Sequence, residues 1–466
     1  MSRVRLNNRR PNRIRVKSWL WRHGPLPCAL ATAVLSGCAT YSEQMTSALD
    51  DVTAGRYEEA IGQVQKASGL SASGVPKELD SDAALGLLNR ATLKQALQRF
   101  GPSSQDFQEA DVELEFLDIA NDTAGEIGRY FFSDSATRYR SSPTEKLAIN
   151  GFNMMNYLAL NDLQGARVES RRFTVMQRYL DEYAKDQPHA AFGSYLAGFT
   201  LEQMGEYTGA MRYYDEALAV QNFESLRGPV QRLSTLTPYR GRAIEKFLAD
   251  SNPPTARDST ADSKATAKIL VVISVGRVPH KVPERIPVGA AIGLAGSAIS
   301  GDPAVLGYSV FKFVIYPGLA QSASRYSQVS LLLDGQGVQP DLASRLGSEI
   351  TREYESIKPS IIAAALSRMI VRAAAAEGMR EAGNSAGSGL GWFLALATEA
   401  SLAGLDKPDT RSWIFLPDRV YVYQQRVTPG RHRVEVRLGT GPSESHIEEV
   451  EVAAGEFAAV VITAPR

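Results

Sequence analysis

Apolar positions recur along this chain in two rhythms, and the change between them divides it. Up to about residue 250 they fall three or four apart, the period of helices with one buried face. Within 191–224, Gly198, Gly205, Tyr207, Ala210, Tyr214 and Ala217 place small and aromatic residues at helical spacing. Gly205-Glu206 reads as the turn between two antiparallel helices. Within 41–74, Gly55, Tyr57, Ala60 and Ala67 repeat that spacing. Weaker copies carry Ala166 and Phe173 in 148–180, and Phe107 and Ala110, the last with Gly101-Pro102-Ser103-Ser104 as a lengthened turn. Residues 251–265 are polar, hold Pro253 and Pro254, and have no apolar period, which marks a linker.

Beyond the linker the runs shorten and become β-branched. Residues 268–275 read as a buried strand, 311–316 as a second, and 327–334 as a third with a turn at Gly335-Gln336-Gly337. Pro279 and Pro283 predict irregular chain over 278–283. The glycine- and alanine-rich residues 288–299 predict a small-residue loop or helix packed on the sheet. A stripe of Ile361, Ile362, Ala365, Leu366, Met369, Ile370 and Ala373 predicts a helix over 359–379, broken at 383–389 and followed by a second helix over 390–405. Residues 419–427, 431–438, 446–453 and 457–464 predict four strands in an antiparallel meander, as in a small β-sandwich.

The spacing of the first half resembles the tetratricopeptide repeat (TPR), a pair of antiparallel helices ~34 residues long that stacks into a solenoid. The expected fold class is therefore α+β and multidomain. A TPR-like α-solenoid occupies 38–250, a mixed α/β region 266–410, and a small antiparallel β-sandwich-like unit 411–466.

The N-terminus changes how charge is counted. An arginine-rich stretch leads into the apolar run 26–34 and then Leu35-Ser36-Gly37-Cys38, the anatomy of a secretory signal. The run is about half the ~20 residues a spanning helix needs. Cys38 after Leu-Ser-Gly resembles the lipobox of bacterial lipoproteins. That resemblance implies removal of 1–37, lipidation of Cys38, and a membrane partner reached through that lipid. Ala39, where an aspartate would favour inner-membrane retention, leans the localisation to the outer membrane, facing the periplasm. The whole chain balances 51 basic against 51 acidic residues. Removing Arg3, Arg5, Arg9, Arg10, Arg13, Arg15, Lys17 and Arg22 leaves 43 against 51, a net −8. A mildly acidic mature chain argues against a nucleic-acid partner, which needs a basic face. Of two cysteines, Cys28 leaves with the leader and Cys38 carries lipid, so no thiol or disulfide remains.

The sequence carries no recognisable catalytic signature. Gly383-Asn384-Ser385-Ala386-Gly387 spells the nucleophile-elbow string, but that chemistry needs a strand before the serine, and here a helix precedes it. His189, His280, His432 and His446 have no metal-ligand spacing. His432 and His446 read as residues of a solvated sheet face. Arg411-Ser412-Trp413-Ile414-Phe415-Leu416-Pro417 is dense in large apolar residues and reads as a core plug joining helix and sheet. The expectation is thus no enzyme, no cofactor and no metal.

The runs at 268–272 and 412–417 resemble a poorly characterised group of bacterial lipoproteins that join a TPR-like half to a terminal β region. The resemblance implies a setting in envelope assembly, such as cell-wall synthesis, and transfers no active site. The expected function is a lipid-anchored scaffold that binds envelope proteins or peptides, with Tyr207, Tyr213 and Tyr214 near the binding groove and Tyr213 the best placed on the surface. The alternatives are an envelope hydrolase using 268–400 and a lipoprotein of secretion or surface-organelle assembly.

Overall fold

The computed structural model describes residues 39–71, 81–114, 139, 141–183, 191–250, 266–296, 303, 313–322, 324–385, 407–439 and 444–466. The linker at 251–265 and the helix expected over 390–405 lie outside them. Helices come first: α1 (Tyr41–Gln44), α2 (Thr46–Ala54), α3 (Tyr57–Ala67), α4 (Ser81–Ala96), α5 (Phe100–Glu113), α6 (Pro143–Ala159), α7 (Leu163–Tyr183), α8 (Ala191–Gln203), α9 (Tyr207–Val220), α10 (Arg227–Leu236) and α11 (Arg242–Ala249).

Four successive pairs, α2/α3, α4/α5, α6/α7 and α8/α9, turn in one way. Gly55, Gln98, Asn161 and Gly205 take left-handed φ values of 80°, 58°, 56° and 76°. The next amide in each case reaches back to a carbonyl near the end of the first helix: Arg56 to Asp51, Arg99 to Lys94, Asp162 to Tyr157 and Glu206 to Leu201. This is the Schellman arrangement, which satisfies a carbonyl the helix leaves open. Gly101-Pro102-Ser103-Ser104 is therefore no turn. It opens α5, where Pro102 sits in the first helical turn and its missing N–H leaves no bond unmade. Glycines bring the helices close. A Cβ on Gly198 would stand 2.5 Å from the ring of Tyr214, and one on Gly193 2.2 Å from that of Phe173.

The remaining elements are β1 (Ala267–Val275), β2 (His280–Pro287), α12 (Val288–Ala295), β3 (Phe313–Ala320), β4 (Val329–Leu333), β5 (Gln336–Val338), β6 (Asp341–Arg345), α13 (Leu346–Ser385), β7 (Arg419–Val427), β8 (Gly430–Leu438), β9 (Ser445–Val452) and β10 (Phe457–Ala464). One sheet has the order β10-β1-β7-β6, another β5-β4-β8-β9, and β2-β3 form a separate ribbon. Two expectations change here. Residues 280–287 are a strand despite Pro283, which pairs with Pro317 of β3. A two-stranded ribbon has free edges, so a residue without an N–H is tolerated. Helix α13 also begins earlier and ends later than 359–379.

The expected C-terminal meander is not formed. Only β8 and β9 pair with each other as a hairpin, while β7 and β10 flank β1 on its two sides, β10 running parallel to it. Both four-stranded sheets combine strands of 411–466 with strands of 267–345. Ala39–Arg466 accordingly folds as one compact unit, distinct from Met1–Cys38, which lies outside the described residues.

Strand β1 explains the layering. Apart from Lys268 and Ser274 it is apolar, because both of its faces are covered. Leu270 and Val272 join the core that includes the helices, together with Val420, Val422 and Val461. Ile269, Val271 and Ile273 pack instead against Leu331, Leu333, Val434 and Val436 of the second sheet. Helices α4 and α6 lie against β10, and α8 against β6 and β7. Helices α6 and α8 are buried almost throughout, whereas α7 and α9 each keep an exposed side. In the last three pairs the inner helix, α4, α6 or α8, thus lies between its outer partner and the first sheet.

Candidate functional site

The convergence point of the fold is the irregular segment before β7. Residues 408–417 are buried throughout, with Trp413, Ile414, Phe415 and Leu416 fully enclosed. Because the segment forms no ladder, its amides need other acceptors. Helix side chains supply them. The Trp413 N–H donates to Glu145 Oε1 at 2.9 Å and the Phe415 N–H to Asn89 Oδ1 at 3.0 Å. The Trp413 indole N–H donates to Thr92 Oγ1 at 3.0 Å. Its ring meets Phe107 and Phe152 edge-on, with centroids 5.6 and 6.0 Å apart. In return, Thr410 Oγ1 accepts the Ser42 N–H at 3.0 Å. Arg411 is clamped by Asp409 at 2.8 Å. Trp413 is the core plug expected from its composition.

Glu145 organises this region. Ser142-Pro143-Thr144-Glu145 is a capping box: Ser142 Oγ accepts the Glu145 N–H at 3.2 Å, and Glu145 Oε2 accepts the Ser142 N–H at 2.9 Å. The same oxygen accepts the hydroxyl of Tyr139 at 2.6 Å. Burial, with Glu145 beside it, pushes the Tyr139 phenol well above its ordinary range. The S-x-x-E string ahead of an apolar run is a legible sequence signal for Glu145.

Beside Glu145 lies a cavity of about 40 Å³ lined by residues that include Tyr139, Lys281, Glu353, Tyr354, Ser412 and Trp413. Glu353, on α13, is buried, and its Oε1 accepts both the N–H of Thr144 at 3.0 Å and its hydroxyl at 2.6 Å. Its Oε2 is enclosed without a partner. Burial pushes the Glu353 carboxyl up to about 7, against the hydrogen bonds from Thr144 that lower it. One turn earlier, burial and the neighbouring Glu353 push Glu349 up to about 8. The cavity holds about one water. Such a site can exchange a proton near neutral pH, but it has no room for a substrate. Ser412 Oγ donates only to a carbonyl, that of Thr410 at 3.4 Å, with no base in reach among its described contacts.

The other residues singled out in the sequence are scattered. Tyr214 is fully buried and its hydroxyl donates to Glu202 at 2.7 Å, so it cannot meet a partner at the surface. Burial reflects its place opposite Gly198 in the α8/α9 interface. Tyr207 is 37% exposed at the start of α9. Tyr213 is half-buried, its hydroxyl bonded to that of Thr174. Cys38 lies outside the described residues. Ser385 ends α13, and 386–387 of its string lie outside the described residues.

His432 and His446 are not cross-strand neighbours. His432 pairs with Val450, and His446 with Val436. Nor is His432 solvated. Its Nδ1 is 2.7 Å from Asp334 Oδ2 and its Nε2 2.7 Å from the carbonyl of Thr428, acceptors on both sides of the ring. Burial opposes the charge, but Asp334 and Thr428 outweigh it and raise the imidazole above its usual value. Among the described residues no group of three or more His, Cys, Asp or Glu side chains could hold a metal ion, and no helix is long and apolar enough to cross a membrane.

The fold and this junction define a mixed helix–sheet protein in which paired helices are closed by the chain's own sheet. No family model, curated protein or solved structure matches the chain.

Proposed function

We propose that this chain is a non-enzymatic, lipid-anchored scaffold of the outer membrane, facing the periplasm through a TPR-like array that binds envelope proteins. The observation that carries this reading is the repeated turn. Four helix pairs close with the same left-handed residue and the same hydrogen bond, as units of a solenoid do. Helical arrays of this kind present surface rather than chemistry.

The fold alters where a partner would bind. A TPR-like array offers its inner helices to a peptide, but here β10, β7, β6 and Trp413 cover them. Partner binding accordingly falls to the outer row, α5, α7 and α9, and Tyr213 belongs to that row. The anchor is tested by labelling cells with a radiolabelled fatty acid. Label should enter the wild-type chain and be lost from Cys38→Ala; equal labelling of both overturns it. The scaffold is tested by crosslinking in intact cells, where recovery of no specific envelope protein from any surface position counts against it.

A further inference from the structure

Helix α7 exposes a stripe at helical spacing: Gln164, Val168, Arg171, Val175 and Arg178. Val168 is 47% and Val175 64% exposed, and Val112 on the adjacent α5 row is 64% exposed. Valine is a poor helix former because its branched Cβ loses rotamer freedom against the preceding turn. Two exposed valines on one helix therefore break a local rule without a packing gain, which is where a functional reason is sought.

The charges point the same way. Arg167 is paired with Glu206 at 2.7 Å, and Arg172 with Glu169 at 3.2 Å and Asp111 at 3.6 Å. Arg171 and Arg178, on the stripe itself, are exposed and have no ion pair among the described residues. The hydroxyl of Tyr213 bonds to that of Thr174 on α7, which brings α9 to the border of the patch, and Glu216, Arg178 and Arg171 all act electrostatically on that phenol. Two nearby acids are engaged with other partners, Glu169 with Asn150 at 3.0 Å and Asp111 with Lys146 at 2.9 Å. A chain read as net acidic once its leader is removed thus carries a cationic, apolar-studded ridge.

We propose that the Val168–Arg171–Val175–Arg178 stripe of α7, bordered by Tyr213, docks an acidic amphipathic segment of an envelope protein. The proposal rests on the scaffold reading and names the surface and the partner's chemistry. Carboxylates of the segment would pair with Arg171 and Arg178, and its apolar residues would cover Val168 and Val175. Complementary charge chooses the partner and speeds its arrival, while the apolar contacts hold it. A lipid surface fits less well, because interfacial helices bury tryptophan, phenylalanine or leucine rather than valine.

The test places a photoreactive benzoylphenylalanine at Val175 in the full chain in living cells, with control positions at Leu236 and Ile447, which are 53% and 48% exposed. Position 175 should capture one protein, through a peptide rich in aspartate and glutamate. Arg171→Glu with Arg178→Glu should cut that adduct about tenfold, with an unchanged thermal melt, and lysines in place of the partner's carboxylates should restore it. An adduct indifferent to charge reversal overturns the proposal, as does one mapping to residues 115–138 of this chain or to lipid. Partner adducts at the controls but none at 175 overturn the stripe and leave the scaffold standing. Silence at all three positions overturns the stripe and counts against the scaffold.

Discussion

The carboxylate of Glu145 accepts the backbone N–H of Trp413 from 268 residues away while it caps its own helix. One side chain therefore ties the start of α6 to the segment that closes the helical array. Removing it would strand the N–H groups of Ser142 and Trp413 and the hydroxyl of Tyr139. Each buried unmet donor costs ~1–3 kcal/mol. Glu145→Ala should lose about 3 kcal/mol or more in urea unfolding. Trp413→Ala should lose ~3–5 kcal/mol by emptying a packed site. Glu451→Ala, on the exposed strand β9, should change stability by less than ~0.5 kcal/mol. Equal effects of Glu145→Ala and Glu451→Ala would show that the segment is not held as described.

Two glycines in helices should respond in opposite directions to alanine. A Cβ on Gly198 meets the Tyr214 ring at 2.5 Å, whereas nothing lies within 4 Å of one on Gly62. Gly198→Ala should destabilise by ~1–3 kcal/mol through overpacking. Gly62→Ala, within α3, should stabilise by up to ~1 kcal/mol through helix propensity. Paired thermal melts check both signs.

The α13 carboxylates should make stability fall with alkali. Glu349 and Glu353 move from an ordinary 4.5 up to about 8 and about 7 on folding. The folded state thus prefers their protonated forms, and their contribution is greatest below the unfolded value. It declines as pH rises from about 4.5 through 7 and 8. The double variant Glu349→Gln/Glu353→Gln resembles the protonated state and should lose less stability than wild type between pH 6 and 9. Parallel urea midpoints for the two proteins across that range would refute the assignment.

His432 should behave oppositely in cause but similarly in direction. Its imidazolium donates to Asp334 and to the Thr428 carbonyl, so its folded value lies above 6.5. That stabilisation is complete below the unfolded value and lost as pH rises through the folded one. Proton NMR of the imidazole should give a titration midpoint above 6.5 that drops in Asp334→Asn. A midpoint at or below 6.5 in wild type would exclude the clamp.

Much of the fold was legible in short-range patterns. The runs at 268–275, 419–427, 431–438 and 457–464 announced β1, β7, β8 and β10 through β-branching and alternation, a signal carried by each segment alone. Gly55 and Gly205 announced two turns because glycine favours positive φ. Gln98 and Asn161 hold equivalent turns without that signature, so the local pattern points to 101–104 rather than to Gln98. The site was less legible. Trp413 was readable as a plug from its apolar company, and Glu145 from its capping box. The partners Glu353, Asn89 and Thr92 were not, since nothing local in a helix face shows what will cover it.

The sequence by itself determined the helical first half, most strand positions and the apolar character of 413–416, because propensity and periodicity act over a few residues. Only the tertiary structure decided that β10 lies parallel to β1 and that β7 and β8 belong to different sheets. Only it decided that the chain's own sheet covers the inner helices. Those outcomes depend on which apolar faces bury one another across hundreds of residues, where hydrophobic burial is strong but non-directional. Tyr214 shows the difference plainly: its helical spacing was visible in the chain, but its burial against Gly198 was fixed only when the two helices met.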